Sequence, residues 1–145
     1  MLMGVNMIDL SNEASLLPPV LAYIKRKGFN MHAFELHFYK RSVDIYAFSK
    51  NSYMTIAIEL KLQKWQKAFE QALIYQLCAD ETYIAMPKKF TNRVNSELLK
   101  KHGVGLISVS EIGRCYRLIE AKQSSVIKNE YKNDQINYLQ RQINE

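Results

Sequence analysis

Apolar positions along the chain change period several times, and each change marks an element. Leu16, Leu17, Val20, Leu21 and Ile24 recur at helical spacing and stop at Gly28. Pro18-Pro19 cannot lie inside a helix, so the main helix starts there and residues 11–17 form a preceding turn or short helix. Met31 to Tyr39 alternates poorly but is rich in aromatics, which predicts a strand. Ser42–Phe48 and Tyr53–Leu62 are stronger strands, β-branched and aromatic, and the turn material Ser49-Lys50-Asn51-Ser52 between them predicts an antiparallel hairpin. After Gln63, residues Trp65, Ala68, Phe69, Ala72, Leu73, Gln76 and Leu77 follow helical spacing to near Asp80. Thr82–Met86 is a short strand closed by Pro87, Thr91–Lys101 a second crossover helix stopped at Gly103, Val104–Val109 a strand, and Cys115–Ile119 an edge strand.

Strand, helix, strand, helix, strand in this rhythm argues for a mostly parallel sheet with an antiparallel hairpin at the front, an α/β class. With 145 residues, 48% of them apolar, the chain can bury a core without disulfide or metal staples. One domain is expected over residues 1–121. From Lys122 to Glu145 the chain turns polar, yet Ile136, Leu139 and Ile143 keep helical spacing. This tail is either an amphipathic helix or disordered. Cys78 and Cys115 stand far apart in apolar contexts and are expected to be free, buried thiols.

Charge changes the picture next. Lys and Arg number 20 against 14 Asp and Glu, and they cluster: Lys25-Arg26-Lys27, Lys40-Arg41, Lys61 with Lys64 and Lys67, Lys88-Lys89 with Arg93, and Lys100-Lys101. Any one cluster is ordinarily a solvated face; together they make a polyanionic partner plausible. The first ten residues carry neither a basic leader pattern nor a small-residue cleavage site. No later run approaches the ~18 apolar residues of a membrane span, so no membrane association is expected and a cytoplasmic location is.

The chemistry centres on Ile56-Ala57-Ile58-Glu59-Leu60-Lys61-Leu62, an apolar strand with two charges set two residues apart. Strand side chains alternate, so Glu59 and Lys61 share a face. An even-numbered hairpin loop brings Asp44 to that face too, opposite Glu59 or diagonal to it at about 7–8 Å. Two carboxylates so close repel unless a cation lies between them, and hard oxygen ligands favour Mg²⁺ or Mn²⁺. A lysine beside such an ion suits the charge developing on a phosphate. The alternative is a Glu–Lys–Asp ion network at a sheet edge.

Asp44, then Glu59-Leu60-Lys61 at the end of the next strand, then a helix carrying Gln71-Ala72-Leu73-Ile74-Tyr75, resembles the PD-(D/E)XK nuclease superfamily with its restriction-endonuclease-like αβββαβ core. The resemblance spans roughly residues 11 to 120, and the proline of the motif's name is absent, Arg41-Ser42-Val43 preceding Asp44. It implies a mixed sheet flanked by helices and metal-dependent hydrolysis of DNA phosphodiester bonds through a metal-activated water. It implies that Asp44, Glu59 and the carbonyl of Leu60 bind Mg²⁺ or Mn²⁺, and that Lys61 orients or activates the water. Gln71 would position Lys61 or a phosphate, supported by Tyr75, and an acid from the first helix would join: Glu13, or failing that Glu35. The runner-up is a non-catalytic nucleic-acid-binding or assembly module of the same fold. Lys64, Lys67, Lys88, Lys89 and Arg93 are expected to contact phosphates beside the cut, and with little chain besides the core a homodimer or a partner protein is expected to help recognise the substrate.

Other candidates are weaker. His32 and His37 are five apart and would face opposite ways on a strand, unlike a zinc pair, and no glycine-rich phosphate loop occurs.

Overall fold

In the computed structural model, which describes residues 7–143, a 3-10 turn over Glu13–Leu16 leads into α1 (Leu17–Arg26). The prolines occupy the first turn of α1, where a missing amide proton costs nothing. Strands β1 (Met31–Phe38), β2 (Arg41–Ser49) and β3 (Met54–Leu60) follow, then α2 (Trp65–Tyr75) and β4 (Glu81–Pro87). This is the αβββαβ order. The chain continues through α3 (Ser96–His102), β5 (Gly105–Val109), β6 (Cys115–Ile119) and α4 (Asn129–Ile143).

The six strands form one open sheet in chain order. β1, β2 and β3 pair antiparallel, β3, β4 and β5 parallel, and β6 returns antiparallel to β5. One face carries α1, whose Leu16, Val20 and Ile24 side of the chain packs on Ile45, Ala47, Ile56 and Ile58. The other carries α2, α3 and α4 over Tyr46, Phe48, Ala57, Ile84, Met86 and Leu106. Alternating side chains of β2 to β5 therefore feed two apolar layers, the pattern of a sheet covered on both faces.

The sheet is mixed and not mostly parallel, with three antiparallel pairings against two parallel ones. One further expectation changes, and the open alternative for the tail resolves. The single helix over Thr91–Lys101 is instead a 3-10 segment, Lys88–Arg93, and a separate short α3. Val94 is extended between them, and the Asn95 side chain caps α3 by accepting from the Leu98 amide at 3.1 Å. A side-chain oxygen that satisfies an orphan amide starts the α-helix at Ser96, five residues later than periodicity alone indicates. The tail after residue 121 runs irregularly to Asn129 and then forms α4, docked by the buried Ile136 and Leu139 on the apolar layer that also holds Tyr75 and Cys78. The side chain of Ile143 lies outside the described residues, as do residues 1–6.

Candidate active site

The β2–β3 loop, Lys50–Tyr53, has four residues, so the even-loop condition holds. Ile45 pairs with Ile58 and Ser49 with Met54, and the same register continued by one step sets Asp44 against Glu59. Both carboxyls face α2. Asp44 Oδ2 accepts the Leu60 amide at 2.8 Å, which ties the end of β2 to the end of β3. Glu59 is 3% exposed, and its Oε1 accepts from the Tyr75 hydroxyl at 3.2 Å. That hydroxyl lies 3.0 Å from the Ser42 carbonyl as well, so α2 is anchored to both acid-bearing strands through one phenol.

Electrostatics sets this pair apart. Loss of solvation, followed by the neighbouring Asp44 charge, pushes the Glu59 carboxyl up to about 8. Asp44 is raised too, by burial first, while the Leu60 amide opposes the shift and a hydrogen bond with Glu59 favours its charged form. The two carboxyls therefore titrate as a coupled pair, both displaced towards their neutral forms. Tyr75 is held above the ordinary phenol range by burial and by the adjacent Glu59 charge. Such perturbation by burial and a like charge is a mark of functional carboxylates.

Lys61 follows β3 directly, its amide donating to the Ala85 carbonyl at 3.0 Å. Its ammonium meets Glu13 Oε1 at 3.8 Å, so the 3-10 turn before α1 delivers its acid to the site. Glu13 is near enough to raise Asp44 further. Glu35 is not part of this group: it is exposed at φ 51°. A strand residue in the left-handed region turns its side chain out of the alternation. Gln71 sits one turn before Tyr75 on α2, and its Oε1 is buried without a hydrogen-bond partner.

Among the described residues, no group of three or more His, Cys, Asp or Glu side chains converges as a metal site. Asp44 and Glu59 supply two hard carboxylates, the number with which Mg²⁺ commonly binds while keeping waters. The donor chemistry fits a divalent ion.

The basic residues divide. Lys64 precedes α2 and, with Lys67, is exposed beside Lys61 in sequence. Arg93 Nη1 donates to Gln63 Oε1 at 2.7 Å, bringing the 3-10 segment onto the loop after Lys61. Lys89 and Arg93 lie over the Phe90 ring at 5.1 and 4.8 Å. Lys88 and Lys89 line a groove of about 660 Å³.

A second buried charge cluster escaped the sequence. Lys132 on α4 meets Asp80 Oδ2 at 2.8 Å, and Asp80 accepts in addition from the amide and hydroxyl of Thr55. Its sequence signal was a lysine standing one turn before Ile136 on the apolar stripe of the tail.

No protein-family profile matches the sequence, and no curated protein matches it. The fold does have solved counterparts. A protein of unknown function from Silicibacter pomeroyi superposes with a TM-score of 0.73 at 15% identity, over 94% of this chain and 88% of that one. SfsA of Pyrococcus furiosus, solved in complex with Ca²⁺, covers 80% of this chain and 62% of its own at 13% identity, with a TM-score of only 0.41. The first likeness extends to the fold alone. No helix among the described residues is long and apolar enough to cross a membrane.

Proposed function

We propose that the chain is a divalent-cation-dependent phosphodiester hydrolase acting on DNA, a member of the PD-(D/E)XK nuclease superfamily. The observation that carries the reading is the Asp44–Glu59 pair, half-buried and buried, opposed at the ends of two neighbouring strands, with both carboxyls raised by burial. Mg²⁺ or Mn²⁺, when bound by Asp44 and Glu59, supplies positive charge to polarise a phosphate oxygen. The Leu60 amide fixes Asp44, and Tyr75 fixes Glu59, so neither carboxylate has to reorganise when the substrate arrives. Lys61, at the end of β3, places an ammonium where a phosphate's charge grows and where an incoming water is oriented. Glu13 holds that ammonium in place when no substrate is present. Gln71, with an unpartnered buried oxygen, positions a water or the lysine within the same face. Lys64, Lys67, Lys88, Lys89 and Arg93 provide sequence-independent phosphate contacts, as a basic face does for nucleic acid.

The test is cleavage of labelled DNA in Mg²⁺ or Mn²⁺ by the parent protein and by Lys61→Ala and Asp44→Ala. Each variant should lose about a thousandfold or more in rate, ~4 kcal/mol of transition-state stabilisation, while keeping its circular dichroism spectrum. Full activity in purified Lys61→Ala removes the nuclease assignment from this site. Metal-independent binding of DNA with no cleavage by the parent favours the non-catalytic module.

A further inference from the structure

The groove of about 660 Å³ runs along the carboxyl ends of the parallel strands, between the end of β4 and the end of β5. It adjoins the candidate site at two places. Pro87 lies two residues beyond Ala85, which accepts the Lys61 amide, and Ser11 lies two residues before Glu13, which holds the Lys61 ammonium. Crevices outside the carboxyl ends of strands are where open α/β sheets take ligands. The volume is that of a cleft for a small ligand, on the scale of 300–1,000 Å³.

Its lining has two chemically distinct sides. The segment after β4 contributes Lys88, Lys89 and Asn92, and the opposing segments contribute Asp9 and Glu111, held together by the Ile8 amide on the Glu111 carbonyl. Leu10, Pro87 and Val109 add apolar wall. A phosphodiester backbone is drawn to the lysine side and repelled from the carboxylate side. Two strands would press phosphates on both; one strand presses them on one, and offers its base to apolar wall and to carboxylates able to accept from exocyclic amines.

We propose that this groove receives one unpaired nucleotide of the substrate strand beside the scissile phosphate, so that the enzyme acts on unpaired or frayed strands in preference to intact duplex. The inference rests on the hydrolase reading above.

The experiment compares three DNA substrates of one sequence, a full duplex, a duplex with an unpaired flap and a single strand, cleaved by the parent and by Asn92→Trp, whose indole would fill the groove. Lys89→Glu repeats the test by charge in case the first variant folds poorly. The parent should favour the unpaired substrates by tenfold or more, and both variants should bring that ratio towards one. A parent ratio near one, or a ratio unchanged in both variants, overturns the groove assignment and leaves the hydrolase reading standing. If no substrate is cleaved at all, the hydrolase reading fails and the groove is judged by binding alone: a labelled ten-nucleotide single strand should bind at least tenfold more weakly to the variants. Equal binding to parent and variants overturns the groove assignment in that case as well.

Discussion

Strand β3 carries two buried charge clusters on the same face, four residues apart, and they are built on opposite principles. At its start, Thr55 gives its amide and hydroxyl to Asp80, and Lys132 completes the carboxylate's partners at 2.8 Å before reaching the Tyr53 carbonyl. At its end, Glu59 faces a second carboxylate, takes one phenol hydrogen bond and is pushed up to about 8. The first cluster is closed: every charge has its counter-charge, and nothing is left for a ligand. The second is open, with its nearest ammonium turned to Glu13. Buried charge that the fold neutralises itself fastens α4 to the sheet; the two carboxylates that face each other at the end of β3 are the feature on which the proposed cation site rests.

If the first cluster is a fastening, breaking it should cost more than any change at the Glu59 end of β3. Lys132→Met leaves the Asp80 carboxylate buried without its cation and should lower stability by about 3–5 kcal/mol in urea unfolding. The loss should be accompanied by release of α4, seen as faster amide exchange over Asn129–Ile143. A loss under about 1 kcal/mol would place the ion pair with surface bridges and dissolve the contrast.

The open cluster should respond in the opposite sense. Glu59 binds its proton more tightly folded than unfolded, so between about pH 4.5 and pH 8 the native state holds more protons. Stability must then fall as pH rises through that window, having been fully present below it. In EDTA, Glu59→Gln stays neutral throughout and should abolish Glu59's share of the decline, leaving the variant the more stable by up to about 4 kcal/mol near pH 8. Substituting a buried acid thus raises stability at one end of β3, while removing a buried base lowers it at the other. Equal slopes with pH for parent and variant would show that Glu59 is ionised at little cost and is no reservoir for a ligand.

These two clusters were unequally legible in the chain. Period-two alternation in Ser42–Phe48 and Tyr53–Leu62, with an even loop, was enough to place Asp44 beside Glu59, because strand geometry turns sequence parity directly into facing. Helical spacing likewise put Gln71 and Tyr75 on one side of α2. The Asp80–Lys132 pair joins residues 52 apart, and no local period reports on a contact of that range. The same limit hid the groove, which forms only where the ends of β4 and β5 meet the chain before α1. The extended Val94 was hidden for another reason: a cap by Asn95 competes with helix continuation on energies too close for apolar spacing to decide.

The smallest effect is also the one that separates the clusters by ligand and not by charge alone. An ion that binds Asp44 and Glu59 in the folded chain stabilises it by mass action, about 1.4 kcal/mol when its concentration is ten times Kd. For a chain of this length that is a rise in Tm of roughly 4–5 °C. Mg²⁺ or Mn²⁺ titrated against the parent should give this shift, and Asp44→Asn should remove most of it by taking away one of two ligands. Lys132→Met, starting from a lower Tm, should keep the shift, because its cluster lies at the other end of β3 and offers the ion nothing. The rise should also grow with pH, since the ion must displace the proton carried on Glu59 before it can bind both carboxylates. A shift retained by Asp44→Asn would move the ion to another site. Absence of any shift in the parent at every pH would make the Asp44–Glu59 pair a structural ion network with Lys61 and Glu13, and the difference between the two ends of β3 one of degree.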